Sequence, residues 1–161
     1  MGLSALGLVA CAGAPPQPAA EVPSSLLRLP VESDANVTAG KAAGQAIAAH
    51  AQQMLGVPYK YGGNSPRGFD CSGLVYYSHG QAGIKVPRTS RAQLRAAQRI
   101  TLQQARAGDL LFFKSRNYSH VAVYIGDDTF VHAPSTGKHV TLASLNNDYY
   151  RTHLVAVGRL H

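Results

Sequence analysis

Two kinds of side chain in this sequence can supply a nucleophile and its base: a pair of cysteines, Cys11 and Cys71, and seven histidines. Cys71 has the more telling context. A loop containing Gly62, Gly63 and Gly68 leads to it, Asp70 stands immediately before it, and the apolar run Leu74-Val75-Tyr76-Tyr77 follows. That order predicts a thiol in the first turn of a helix, where unpaired main-chain N–H groups and the helix dipole favour the thiolate. The same N–H groups can hold a developing oxyanion. Burial as a small hydrophobe is the ordinary fate of a free cysteine, and the glycine-rich approach argues against it here. A cysteine nucleophile needs a base, and the base needs a group to orient it. His120 opens one strand-like segment, and His132 lies in another, just after the Gly126-Asp127-Asp128 turn. A three-residue hairpin loop at that turn pairs Ile125 with Thr129 and Ala122 with His132. The two histidines then share a sheet face as diagonal neighbours, about 7–8 Å apart at Cα. A two- or four-residue loop puts His132 on the opposite face. His50, His79, His139, His153 and His161 have no such context and read as ordinary surface or core residues. A zinc site needs a third ligand, and neither HExxH nor CxxC spacing supplies one, so no metal is expected.

The elements that must position these groups are legible in the periodicity. Ala43, Ile47, Ala51 and Met54 recur at helical spacing and predict a helix over 42–55, ended by Gly56. A second helix starts at Cys71 and stops by Gly80 or Gly83. A third starts at Ser90, whose hydroxyl with Gln93 fits a capping box. Arg88, Arg91, Arg95 and Arg99 fall three, four and four apart, which would line one helix face with positive charge. That face is either simply solvated or a docking surface for an anionic polymer or for carboxylates. After Gly108 the period changes to two, and Leu110–Lys114, His120–Ile125, Thr129–Ala133, His139–Leu142 and Leu154–Arg159 read as short strands. Helices first and a strand meander after predict an α+β fold, with N-terminal helices packed on an antiparallel sheet of five or six strands.

Composition narrows the function classes. The 161 residues suit one domain with a short appendage, and 45% apolar against 14% charged residues excludes wholesale disorder. No run of eighteen apolar residues can cross a membrane as a helix. From Lys41 onward 14 basic residues face five aspartates, a surplus of nine that suits an anionic partner. With no tryptophan and no zinc-finger or aromatic–basic motif, nucleic acid is not the expected partner. Residues 1–11 are small and apolar up to Cys11, and five of the nine prolines fall between Pro15 and Pro30. Residues 12–40 therefore read as a flexible linker, and 41–161 as the folded domain. Leu8-Val9-Ala10-Cys11 resembles the lipobox of a bacterial lipoprotein leader, although the leader is short and lacks a preceding Lys or Arg. The resemblance implies a lipid on Cys11, and Ala12 in place of an aspartate fits the periplasmic face of the outer membrane. A Cys11–Cys71 disulfide is the competing use of the two thiols, and it would silence Cys71.

The blocks Gly56-Val57-Pro58-Tyr59-Lys60-Tyr61-Gly62-Gly63 and Gly68-Phe69-Asp70-Cys71-Ser72-Gly73-Leu74 resemble the nucleophile region of the NlpC-type, papain-like cell-wall cysteine peptidases. So do Val86-Pro87-Arg88-Thr89-Ser90 with Gln93, the Ala107-Gly108-Asp109-Leu110 strand entry, Ser119-His120-Val121 and Phe130-Val131-His132-Ala133. Their order and spacing cover roughly residues 45–160. The resemblance implies a papain-like fold and assigns Cys71 as nucleophile, His120 as general base and His132 as the polar third member. It places the Tyr59 hydroxyl beside the thiol, at the oxyanion. Asp70 and Ser72 match positions that bind the substrate's amino end in some relatives, and Arg88 and Ser90 are further candidates for substrate binding. It also implies hydrolysis of murein stem or cross-link peptides through an acyl-enzyme, no cofactor, and a monomer carried on a lipid anchor like the short lipoprotein members. A related amidase would use the same acyl-transfer chemistry. A catalytically silent wall-binding lipoprotein would show the loss of Cys71, His120 or His132, and all three are present.

Overall fold

The computed structural model describes residues 1–2, 34–115 and 118–161, so Cys11, the lipobox and most of the expected linker lie outside the described residues. The first helix, α1, spans Asp34–Gln53 and begins inside the segment expected to be linker. Its Ile47, Ala48 and Ala51 are buried, whereas Val37 to Ala39 are exposed. The extension therefore carries no apolar stripe for a periodicity argument to detect, and adding turns to a helix already anchored by packing costs little. Two short strands, β1 (Asn64–Ser65) and β2 (Gly68–Phe69), pair in the glycine-rich loop and deliver the chain to α2, Cys71–Gln81.

Helix α3 is shorter than expected, Ser90–Ala96. Its cap is Thr89, whose hydroxyl accepts from the Ala92 N–H at 3.4 Å, and not the Ser90–Gln93 box. Gln93 instead points inward and donates to the carbonyls of Ser72 (3.0 Å) and Pro87 (2.8 Å), stitching α3 to α2. Because α3 stops at Ala96, Arg88 precedes the helix and Arg99 follows it in β3, Gln98–Ile100. The four arginines therefore do not form one helical face. The chain leaves the helix because β3 pairs with β8, Leu154–Arg159, a long-range partner that local spacing does not reveal.

The main sheet has six antiparallel strands in the order β3-β8-β4-β5-β6-β7, with β4 at Leu110–Ser115, β5 at Tyr118–Gly126, β6 at Thr129–His132 and β7 at Thr141–Ser144. Alternate residues feed two cores. Leu110, Phe112, Val121, Val123 and Val131 pack with Ile47, Ala51, Leu74 and Val75 of α1 and α2. Leu111, Phe113, Ala122, Tyr124 and Phe130 pack with Tyr150 of α4, Asp148–His153. A fully buried side chain of this size contributes about 1.5–3 kcal/mol, so a double-faced sheet of this kind is a rigid mount.

Candidate active site

Cys71 occupies the first position of α2 and is a free thiol. Asp70 caps the helix: its Oδ1 accepts from the Gly73 N–H at 2.6 Å and from the Ser72 hydroxyl at 3.2 Å, and its Oδ2 accepts from the Gly62 N–H at 3.0 Å. Arg88 closes the same carboxylate as a fork, with Nη1–Oδ1 at 2.9 Å and Nη2–Oδ2 at 2.8 Å. It also donates to the Ser72 Oγ at 3.0 Å and the Gly63 carbonyl at 3.1 Å. Gly73 is required by this crowding, since a Cβ there would collide with the Gly63 carbonyl oxygen. Burial alone would push the Asp70 carboxyl upward, but the Arg88 hydrogen bonds, the Gly73 N–H and the guanidinium charge outweigh it and hold the group below its ordinary value. The helix start does not produce a preformed thiolate. Burial pushes the Cys71 thiol up and the Asp70 charge adds to that, while hydrogen bonds from the main-chain N–H groups of Val121, Ser72 and Cys71 only partly offset it.

His120 and His132 do share a face, by a route different from the expected loop. The hairpin turn contains two residues, Asp127 and Asp128, both at positive φ (48° and 54°), with Gly126 opposite Thr129. Both positive φ values fit the primed turns that match strand twist. A register shift between Tyr124 and Gly126 leaves Ile125 as the extra residue. The bulge restores the parity that the two-residue loop would have reversed, and Val123 pairs with Val131. His120 Nε2 and His132 Nδ1 lie 2.9 Å apart, with the rings edge to face at 79°. Phe113 packs near His120, and Phe130 and Tyr150 meet His132 edge to face at 5.3 and 5.6 Å. Burial in this cage lowers His120 to about 3, with the neighbouring His132 contributing, and lowers His132 to about 4. Both imidazoles are therefore neutral at physiological pH.

Tyr59, Asp70, Cys71, Ser72, Arg88, Ser90 and His120 all line one cleft of about 480 Å³, at the end of the sheet where β5 begins. His132 stands behind His120, outside the cleft wall. Burial, with Cys71 and Asp70 beside it, pushes the Tyr59 phenol up, which keeps its hydroxyl as a donor. A neutral thiol, a neutral imidazole oriented by a second one, and N–H and O–H donors nearby can carry out nucleophilic acyl transfer. Among the described residues no three His, Cys, Asp or Glu side chains gather in a way that could hold a metal ion. The buried Gln93 strut and the Tyr150 contact were not anticipated as parts of the site, because both depend on tertiary packing.

A cysteine at a helix start facing a strand-borne histidine, with the helices packed on an antiparallel sheet, defines a papain-like α+β domain. A model of the NlpC/P60 family matches residues 56–159, and the chain belongs to that family. It is 42% identical over 115 residues to the murein DD-endopeptidase MepH of Escherichia coli, covering 67% of this chain and 42% of that protein. It is 37% identical over 121 residues to the bifunctional muramidase/DL-endopeptidase CwlT of Bacillus subtilis, covering 72% of this chain and 36% of that one. The chain thus spans about two fifths of the length of these relatives. Among solved structures, the NlpC/p60 domain of the peptidoglycan hydrolase SagA is 36% identical with a TM-score of 0.63, covering 72% of this chain and 97% of that one. A Staphylococcus aureus protein described as similar to lipoprotein, of the NLP/P60 family, is 38% identical with a TM-score of 0.66, covering 74% of this chain and 41% of that one.

Proposed function

We propose that this chain is a cysteine peptidase that hydrolyses peptide bonds in the stem or cross-link peptides of murein, with Cys71, His120 and His132 as its triad. The observation that carries the reading is that Cys71 and His120 line the same cleft, with His120 Nε2 held 2.9 Å from His132 Nδ1. Since Nε2 of His120 is engaged by His132, Nδ1 exchanges the proton with the thiol. His120 then rests with its proton on Nε2, donated to His132. As the Cys71 sulfur attacks the amide carbon, Nδ1 takes the thiol proton, and His132 steadies the imidazolium. The Cys71 N–H and the Tyr59 hydroxyl hold the oxyanion. The C–N bond breaks as Nδ1 returns the proton to the leaving amine, and a thioester remains. Water, deprotonated by His120, then releases the acid and the thiol. The murein and peptidoglycan names of the relatives support the substrate class. They differ between DD and DL bonds, so the shared triad does not choose the bond. The same proposal places the protein in the cell envelope as a monomer anchored through a lipid on Cys11. It assigns Asp70, Ser72, Arg88 and Ser90 to the substrate side of the cleft.

Digestion of defined muropeptides, read by mass spectrometry, tests this. Cys71→Ala should fall to background and His120→Ala nearly as far, because triad members act as a unit. His132→Asn should retain more activity than His132→Ala, since it keeps a polar partner for His120. Cleavage by Cys71→Ala would refute the thiol mechanism.

A further inference from the structure

A second cavity of about 570 Å³ adjoins the cleft, and the two share Pro134 as a common wall. Its walls come from the end of the α1 region, at Leu55 and Gly56, and from the segment running from Gly137 into β7. That segment is tied to the catalytic loop by its main chain. The Tyr59 N–H donates to the Lys138 carbonyl at 2.8 Å, the Val140 N–H donates to the Val57 carbonyl at 2.8 Å, and the Gly56 N–H donates to the Val140 carbonyl at 2.9 Å. The groove is thus held one hydrogen bond from Tyr59. Leu55 and Leu142 are among the few large apolar side chains that stay exposed, at 40% and 47%. Lys138 and His139 line the same groove, and among the described residues no acidic side chain does. The size falls in the range of ligand pockets.

From this we infer that the groove is a second peptide subsite that receives the partner stem of a cross-linked murein peptide, with the Lys138 ammonium meeting a carboxylate of that stem. The inference rests on the proposed murein peptidase reading and deepens it. Pro134 lines both cavities, so one extended ligand that crosses this residue reaches from the cleft into the groove. An acidic peptide complements a groove whose charged lining, among the described residues, is the Lys138 ammonium. The apolar walls of Leu55 and Leu142 take its non-polar groups. A linear peptide has no partner stem to place here, so this groove discriminates cross-linked from linear substrate.

The test compares the full chain with Lys138→Glu and Lys138→Arg on two defined peptides, a linear stem and its cross-linked dimer. In Lys138→Glu, KM for the dimer should rise on the order of tenfold relative to any change for the linear peptide, and Lys138→Arg should restore it. Calorimetric binding of both peptides to Cys71→Ala, with and without Lys138→Glu, reads the groove independently of turnover. Equal effects of Lys138→Glu on the two peptides, with cleavage intact, would overturn the subsite and leave the peptidase reading standing. A charge-dependent preference for the dimer in binding, without cleavage by the wild type, would keep the subsite and overturn the peptidase reading. Neither binding nor cleavage of either peptide overturns both.

Discussion

Burial keeps three imidazoles neutral in the folded protein: those of His79, His120 and His132 sit at about 4, 3 and 4, against an ordinary 6.5. The linkage is direct. Below pH 6.5 the unfolded chain takes up a proton at each of these histidines while the folded one does not, so the unfolded state gains and stability falls as the pH drops. At pH 7 the two states are nearly matched. At pH 5 each histidine costs about 2 kcal/mol, and the three together cost roughly 5–6 kcal/mol, which is comparable to the whole stability of an ordinary domain. That figure barely depends on whether a folded value is 3 or 4, because both lie well below pH 5. His161 is lowered as well, chiefly by burial, and acts in the same direction. Asp70 contributes stability that is present above its ordinary 3.8 and lost as the pH falls through its lower folded value, so it joins only in stronger acid.

Urea unfolding followed by circular dichroism at pH 7 and pH 5, at constant ionic strength, measures this. His79 is the useful control, being fully buried and not among the residues that line the cleft, with Nδ1 bonded to the Val75 carbonyl at 2.9 Å. His79→Leu should reduce the loss between pH 7 and pH 5 by about 2 kcal/mol. Wild-type stability that is equal at the two pH values would mean that the imidazoles titrate near 6.5 when folded, and the lowering by burial would be wrong. A further consequence is that activity on the acid side should fade with unfolding and not with protonation of His120.

Two further expectations follow from the surroundings of the thiol. Because burial raises the Cys71 thiol, its alkylation by iodoacetamide should keep accelerating above pH 8; a rate plateau at neutral pH would indicate a preformed thiolate. Arg88→Ala should destabilise the domain by about 1–3 kcal/mol in urea and weaken turnover, and Arg88→Lys should rescue it poorly because an ammonium cannot reproduce the two-pronged contact with Asp70.

The thiol's position was legible because its determinants are local: a turn-forming loop, a capping aspartate and a helical run lie within a dozen residues of Cys71. The histidine pair was legible only up to its register. The expected face followed from a three-residue loop, whereas the chain uses a two-residue turn at Asp127–Asp128 and a bulge at Ile125. Adjacent aspartates tolerate positive φ and hint at such a turn, but no local signal marks the bulge. Helix ends failed for a related reason. Ala97, at the end of α3, carries no glycine or proline signal, and the helix stops because β3 joins β8 some sixty residues onward.

The Arg88–Asp70 pair was hidden most completely, since eighteen residues separate its members and the arginine spacing suggested a solvent-facing stripe. Its geometry bears on the chemistry. Asp70 is needed to cap α2 and hold Gly62, yet its charge lies next to a thiol that must become negative. An unpaired carboxylate at that position would oppose the attack step. The guanidinium offsets part of that charge without displacing the cap, because its fork approaches while Gly62 and Gly73 keep their own bonds to the same carboxylate. Ser72, bonded to both partners, and Gln93, holding the Ser72 carbonyl, fix the fork's approach. The residues around the nucleophile thus resolve a conflict between building a helix start and ionising a thiol there.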